Sequence, residues 1–519
     1  MNNHTRKKLP IGIQTFAKLR EEGCYYVDKT PYITQLMQGA GCYFLSRPRR
    51  FGKSLFLDTL AEAFEGNRAL FEGLHLEQHW DWDKRFPVMR ISFGAGRVRD
   101  AQELDVRIRE ILHNCCDDLD VQPAMHKTTV AGLLEGIVKA VHRKYGQRVV
   151  VLIDEYDKPI LDHLSEPELA QQMRTELRNL YSPLKDLDAH LKFVFLTGVS
   201  KFSKVSIFSG LNNLYDITLS NEFVGICGYT DADIDTVFAA ELPGLDRDEI
   251  RRWYNGYSWG DGSSVYNPFD VLLLLRERRF QSWWFETGTP TFLVEWLKNR
   301  QFFTPQLERM LSTEQLLSAF DVDAIAAEAM LWQTGYLTLR GQRLAGVVTQ
   351  YELGIPNREV RSALNEALLR VWMPQHWPAA QSSMDLYDSL RQGDAQALRG
   401  HFERLFASIP HDWYRNNPIA QYEGYWASVF YSHIASLGLD TVAEDNTHQG
   451  RIDLVVKVGG LVWVIEFKLT DGDTATGAAL AQIQAKNYAV KYRAPGVHVI
   501  ELGIEFSTGQ RQIVGWQMG

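Results

Sequence analysis

Apolar residues in the first two hundred positions fall into two kinds of run. Cys42–Ser46 (CYFLS), Val149–Ile153 (VVVLI) and Phe193–Thr197 (FVFLT) are short blocks with almost no polar position. Strands that are hydrophobic on both faces belong in a parallel sheet covered on both sides. Between these blocks the apolar residues recur at helical spacing over Lys53–Phe64, Thr128–Tyr145 and Glu168–Leu184, and Val88–Ser92 adds a strand. The alternation predicts an α/β layer over residues 1–225.

From 226 to 400 helical patterns dominate and aromatic residues are dense, which predicts a helical lid and connecting region. Within it Leu331–Leu339 and Thr349–Leu353 predict a small hairpin or winged element. The run IPHDWYRNNP, within the stretch from Glu403 onward, marks a boundary. Beyond it the pattern predicts a helix over Tyr422–Leu437 and a strand pair, Arg451–Val458 and Leu461–Leu469, joined at Gly459-Gly460. A helix over Ala478–Tyr492 and a strand over Val497–Leu502 follow. That order makes a compact α/β unit of residues 401–519.

A chain of 519 residues is too long for one core. The patterning divides it into three expected domains: 1–225, 226–400 and 401–519. No stretch reaches the roughly 18 uninterrupted apolar residues of a membrane span, so no membrane association and a cytoplasmic location are expected. The five cysteines are odd in number and contain no C-x-x-C, which argues against a disulfide framework or a zinc site. A net charge of −9 means that any contact with nucleic acid must come from a local basic surface.

Candidate chemistry sits at two places. The first is Ser46-Arg47-Pro48-Arg49-Arg50-Phe51-Gly52-Lys53-Ser54, where a strand ends and a helix begins. Free N–H groups at a helix start attract anions, so Arg47 to Ser54 are the expected nucleotide-binding residues. Lys53 reaches the β/γ-phosphates and the Ser54 hydroxyl holds Mg²⁺. The usual first glycine is replaced by Arg47, which would have to take a backbone conformation that glycine takes more cheaply. About a hundred residues on, Val149–Ile153 ends in Asp154 and Glu155. Asp154 is expected in the Mg²⁺ shell, and Glu155 is expected to polarise the attacking water. Thr197, at the end of the next buried strand, is placed as a γ-phosphate sensor. Lys201 or Lys204 is a candidate finger reaching into a neighbouring subunit.

The second place is the C-terminal hairpin. Alternation puts Leu461, Trp463, Ile465 and Phe467 on one face and Val462, Val464, Glu466 and Lys468 on the other. Asp453 comes from the partner strand. Two carboxylates with the Phe467 carbonyl can hold Mg²⁺, or Mn²⁺, and Lys468 beside them can orient the attacking water. Glu423 opens the preceding helix as a further metal ligand. Gln484 and Tyr488 on the following helix are expected to face the same edge, with Gln482 and Lys486 as near substitutes.

These residues, with Pro10–Ile13, Tyr26–Thr30, Phe208–Asn213, Tyr254–Tyr257, Tyr266–Asp270, Glu286–Pro290, Thr334–Leu337 and Gly354–Asn357, resemble the AAA-ATPase-like proteins that carry a C-terminal PD-(D/E)XK nuclease superfamily domain. The resemblance implies a P-loop NTPase with an AAA/ASCE-like parallel sheet, a helical middle region and a restriction-endonuclease-like α/β fold. It also implies Glu423, Asp453, Glu466 and Lys468 in a nuclease metal site. The expected activity is ATP hydrolysis coupled to Mg²⁺-dependent cleavage of nucleic acid, DNA above all, with defence against foreign DNA as a candidate role. The alternative is a STAND-like signalling or assembly NTPase, homo-oligomeric, whose nuclease fold only binds a partner or nucleic acid. Packing is expected for Tyr254–Tyr257.

Overall fold

A computed structural model describes residues 6–39, 41–122, 128–201, 207, 213–260, 262–288, 293–294, 296–297, 302–318, 325–373, 377–409, 423–510 and 512–519. It divides into two compact units rather than three consecutive segments. Met1–Trp284 and Ser312–Glu352 form the first, and Phe285–Leu311 and Leu353–Gly519 the second. The expected boundary at 225/226 falls inside the first unit and that at 400/401 inside the second. Much of the middle region belongs to the first unit because its aromatic residues pack there.

The first unit is built on five strands: β1 (Cys42–Ser46), β2 (Val88–Ser92), β3 (Val149–Asp154), β4 (Leu191–Gly198) and the two-residue β5 (Tyr215–Asp216). They lie in the order β2-β3-β4-β1-β5, and every pairing is parallel. β1 and β3 are buried along their whole length, as strands with helices on both faces must be. Helices α1 (Lys53–Phe64), α2 (Ala101–Asp118), α3 (Val130–Tyr145) and α4 (Pro167–Tyr181) connect and cover them. Local chemistry sets their ends. Thr129 caps α3 by accepting from the Gly132 N–H, so the helix starts two residues after the expected position, and Gly146 ends it at φ 63°.

Two quoted motifs turn out to be helix starts. Asn267 caps α5 (Pro268–Glu277), with proline at its first position. Asn357 caps α6 (Arg358–Trp372) by accepting from the Val360 N–H. Between them the expected hairpin forms from β6 (Thr338–Ala345) and β7 (Val348–Gly354), while residues 331–333 end a helix.

The second unit holds α6, α7 (Ala379–Gln392), α8 (Ala395–Ser408), α9 (Glu423–Ser436) and a mixed sheet. Its strands are β8 (Asp440–Thr447), β9 (Gly450–Val458), β10 (Leu461–Thr470), β11 (His498–Ser507) and β12 (Gln512–Met518), in the order β12-β11-β10-β9-β8. β9 and β10 form the expected antiparallel pair, while β10 and β11 run parallel and are joined through α10 (Ala478–Ala485). The expected helix to Tyr492 breaks after Ala485, because Asn487 takes φ 48° and a 3₁₀ turn, Tyr488–Tyr492, follows.

Candidate functional sites

Gly52 (φ 94°) and Arg50 (φ 69°) carry the left-handed bends of the candidate phosphate loop, and Arg47 does not. The strain expected at Arg47 is absent because the loop turns later. The Arg47 side chain is wholly buried and points into the protein. It donates to the carbonyls of Ser46 (2.8 Å), Thr218 (2.9 Å) and Phe223 (3.2 Å), and it lies 4.2 Å over the Trp259 ring. Arg47 is thus a strut under the loop. Lys53 donates to the carbonyls of Arg47 (2.8 Å) and Pro48 (2.9 Å), and burial pulls its pKa down against the opposing charge of Asp154. Ser54 follows it, half-buried, in the first turn of α1. Arg49 and Arg50 are exposed, the latter 4.8 Å over the Phe269 ring.

The loop rests on aromatic residues of the middle region. Phe51 is buried edge-on against Tyr257 (4.8 Å between centroids) and Trp259 (5.4 Å). The Arg49 carbonyl accepts from the Trp284 indole at 3.1 Å. Tyr254–Tyr257 and Thr334–Leu337 therefore do pack, and Tyr257 and Gly335 pack against the phosphate loop itself.

Asp154 ends β3 in register with Ser92 and accepts from the Glu155 N–H at 3.0 Å. Glu155 is held at φ 51°, a conformation that costs a non-glycine residue about 1 kcal/mol or more. Burial, then the charge of Asp154, raises its pKa. Thr197, in register with Leu45 of β1, is fully buried with no hydrogen-bond partner for its hydroxyl. Lys201 is paired with Asp216 at 2.6 Å inside the same unit, which removes it from an outward-reaching role. Lys204 and residues 208–212 lie outside the described residues, as do 289–290.

The second site is a cleft of about 370 Å³ in the second unit. Asp453, Glu466, Phe467, Lys468, Gln482 and Tyr488 all line it. Asp453 accepts from the Phe467 N–H at 2.8 Å, which ties β9 to β10 at the site. Glu466 is almost wholly buried; Lys468 lies 3.5 Å from its Oε1, and Gln482 donates to the same oxygen. Its Oε2 is buried without any partner. Burial, with Asp453 beside it, pushes the Glu466 carboxyl up to about 8, and burial raises Asp453 as well. An orphaned carboxylate oxygen in a pocket with a second carboxylate suits a hard divalent cation. Among the described residues no three His, Cys, Asp or Glu side chains cluster as a ready cage. Glu423 stands at the first position of α9, four residues before the cleft-lining Ala427, but its side chain lies outside the described residues.

The comparisons with known proteins agree with this division of labour. Residues 10–208 match the family model described as predicted AAA-ATPase, and residues 421–516 match the PD-(D/E)XK nuclease superfamily. The chain is 55% identical over 513 residues, 99% of each protein, to an uncharacterised protein of the vnfD 5′ region in Azotobacter chroococcum mcd 1. The chain belongs to the AAA-ATPase-like family with a C-terminal PD-(D/E)XK nuclease domain. No solved structure matches it.

Three features of this family member are absent from the expected set. Asp157 is buried and accepts from the N–H groups of Val199 (3.0 Å) and Ser200 (2.6 Å), locking the acidic turn to the end of β4. A β-carbon on Gly198 would sit 2.4 Å from its Oδ1, so the D-E-Y-D run paired with a glycine was the available signal. Arg451 and Glu444 form an ion pair in the cleft wall, and Arg451 shares the parity of Asp453 on β9. Tyr431 of α9 also lines the cleft, held by Glu308 (2.6 Å), which is in turn clamped by Arg361 at 2.8 and 2.9 Å. One expected residue is corrected. Gln484 is exposed and lies toward Gly519, because two helix positions from Gln482 point to opposite sides; Lys486 is exposed too.

Proposed function

We propose that the protein hydrolyses ATP in its first unit and, in its second, cleaves nucleic acid, with DNA as the substrate and Mg²⁺ or Mn²⁺ as the metal. The observation that carries the nuclease half is the convergence of Asp453, Glu466 and Lys468 in one cleft, with Glu466 Oε2 buried and unpartnered. A divalent cation bound there would supply Lewis-acid chemistry, and Asp453, Glu466 and the Phe467 carbonyl are the groups to hold it. Lys468 sits where its ammonium offsets phosphate charge and orients water. Gln482 fixes the Glu466 rotamer, and the Phe467 N–H fixes Asp453.

On the ATPase side, Lys53 exchanges two loop carbonyls for phosphate oxygens, and Ser54 and Asp154 serve the nucleotide's Mg²⁺. Glu155 stands next to Asp154 with a raised pKa suited to accepting a proton from water. The unpartnered Thr197 hydroxyl is the candidate γ-phosphate contact.

The reading is tested by incubating the full chain with plasmid and single-stranded DNA, Mg²⁺ or Mn²⁺, with and without ATP. Lys53→Ala removes ATP turnover and Lys468→Ala removes cleavage. ATP turnover without cleavage under any condition would move the function to an assembly NTPase whose C-terminal fold is a binding module.

A further inference from the structure

The hairpin of β6 and β7 is used by neither site. Its root is anchored, with Leu339 and Tyr351 buried. Its outer half is not: every residue from Arg340 to Val348 is exposed. A sheet with one buried face alternates apolar and polar positions, and this ribbon buries neither face over that half. The tip is apolar, with Leu344, Val347 and Val348 at 71%, 99% and 48% exposure. Gly346, at φ 65°, makes the first residue of a two-residue turn, the place where tight hairpins put glycine. The next position, where Asn, Asp or Gly is usual, is the fully solvated Val347. Charge is one-sided as well. From Arg340 to Tyr351 there are two arginines, Arg340 and Arg343, and no Asp or Glu, in a chain of net charge −9.

We propose that this hairpin is an arm that enters the minor groove of duplex DNA. Arginines and glutamines read that groove, and apolar side chains wedge between base steps and kink the duplex. Arg340, Gln342, Arg343 and Gln350 supply the first set, and Leu344 and Val347 the wedge. Arg343 donates to Gln350 at 3.3 Å, which holds the two strands of the arm together. A second copy of the chain would also cover the apolar tip. The outer arm carries two arginines and no acid, the first carboxylate being Glu352 at its root, and in an acidic protein that charge selects a polyanion instead. The proposal rests on the reading that the protein acts on DNA, but it concerns binding and not cleavage.

The test is fluorescence anisotropy of the full chain with a duplex of about 20 base pairs in EDTA, where no cleavage takes place. A 2-aminopurine at the centre reports unstacking. The joint change Arg340→Ala with Arg343→Ala is expected to weaken binding at least tenfold, and to flatten the salt dependence by about 2 in log–log slope. Leu344→Ser with Val347→Ser is expected to abolish the 2-aminopurine rise. Both variants should keep the wild-type melting temperature, since the outer arm buries nothing. Wild-type protein that ignores the duplex, or variants that bind it as wild type does, overturn the proposal. It is equally overturned if the serine variant loses only self-association in sedimentation, or only binding to anionic vesicles. Duplex binding by a protein that never cuts DNA leaves the arm standing and removes the nuclease.

Discussion

Gly335 meets Pro48 of the phosphate loop so closely that a β-carbon at 335 would lie 2.7 Å from both Cβ and Cγ of the proline. Gly335 also stands at φ 90°. A glycine from the middle of the chain therefore packs directly under the loop proposed to bind nucleotide. Gly335→Ala is expected to raise the KM for ATP about tenfold while costing about 1–3 kcal/mol of stability. Gly146→Ala is the control, for it shares a positive φ (63°) but has nothing within 4 Å of the added carbon. It should lower the melting temperature and leave the KM unchanged. Equal KM effects would detach Gly335 from the loop.

Arg47→Gly restores the glycine that phosphate loops usually carry, yet it is expected to harm the protein. The change strips donors from the carbonyls of Thr218 and Phe223 and opens a cavity beside Trp259. A loss of about 3 kcal/mol in urea denaturation is expected. An unchanged or higher stability would show that Arg47 is not the strut described.

Glu466, pushed up to about 8, holds its proton at neutral pH, and a divalent cation must displace it. Mn²⁺ affinity should therefore rise about tenfold per pH unit on approaching pH 8 and then level off. Calorimetry at pH 7 in buffers of different ionisation heat should show about one proton released per ion. Between the ordinary carboxylate range and about 8, the metal-free folded chain keeps a proton that the unfolded chain has released. Its stability hence falls as pH rises through that window. Proton-free, pH-independent binding would place the ion elsewhere.

His401 and His433 are buried together in the second unit, Nε2 to Nδ1 at 3.4 Å, and burial lowers them to about 4 and about 3. Unfolded histidines take up protons near pH 6.5 and these do not, so the stability they allow is present above that pH. It is lost as pH falls toward 4. His433→Gln should flatten the stability–pH slope of the chain between pH 6.5 and 4, read by urea denaturation at several pH values. An unchanged slope would mean that the pair is not what acid attacks.

Much of this was legible in sequence because a parallel strand buried on both faces, such as Val149–Asp154, has few residue choices. The polar end of such a strand is then conspicuous. Glu466 and Lys468 were legible for the same reason, being charges at alternate positions of an otherwise apolar strand. Strand β8 was not, since DTVAEDNT has only Val442 and Ala443 to mark it, and it pairs as a polar edge. Gln484 was misplaced because the helix ends at Ala485, and a positive φ at Asn487 resets the phase before Tyr488. The seat of the phosphate loop was hidden for another reason. Tyr257, Trp284 and Gly335 reach Phe51, Arg49 and Pro48 across more than two hundred residues, and local patterning carries no trace of that contact.

The most direct measurement is single-turnover cleavage of supercoiled plasmid in Mg²⁺ by wild-type protein and by Glu466→Gln, which keeps the side chain's shape and its place beside Gln482. Wild type should convert the plasmid. The variant should be slower by about 100-fold or more while hydrolysing ATP at the wild-type rate. Cleavage surviving in Glu466→Gln, or a wild-type protein that turns over ATP and never cuts, would contradict the nuclease assignment.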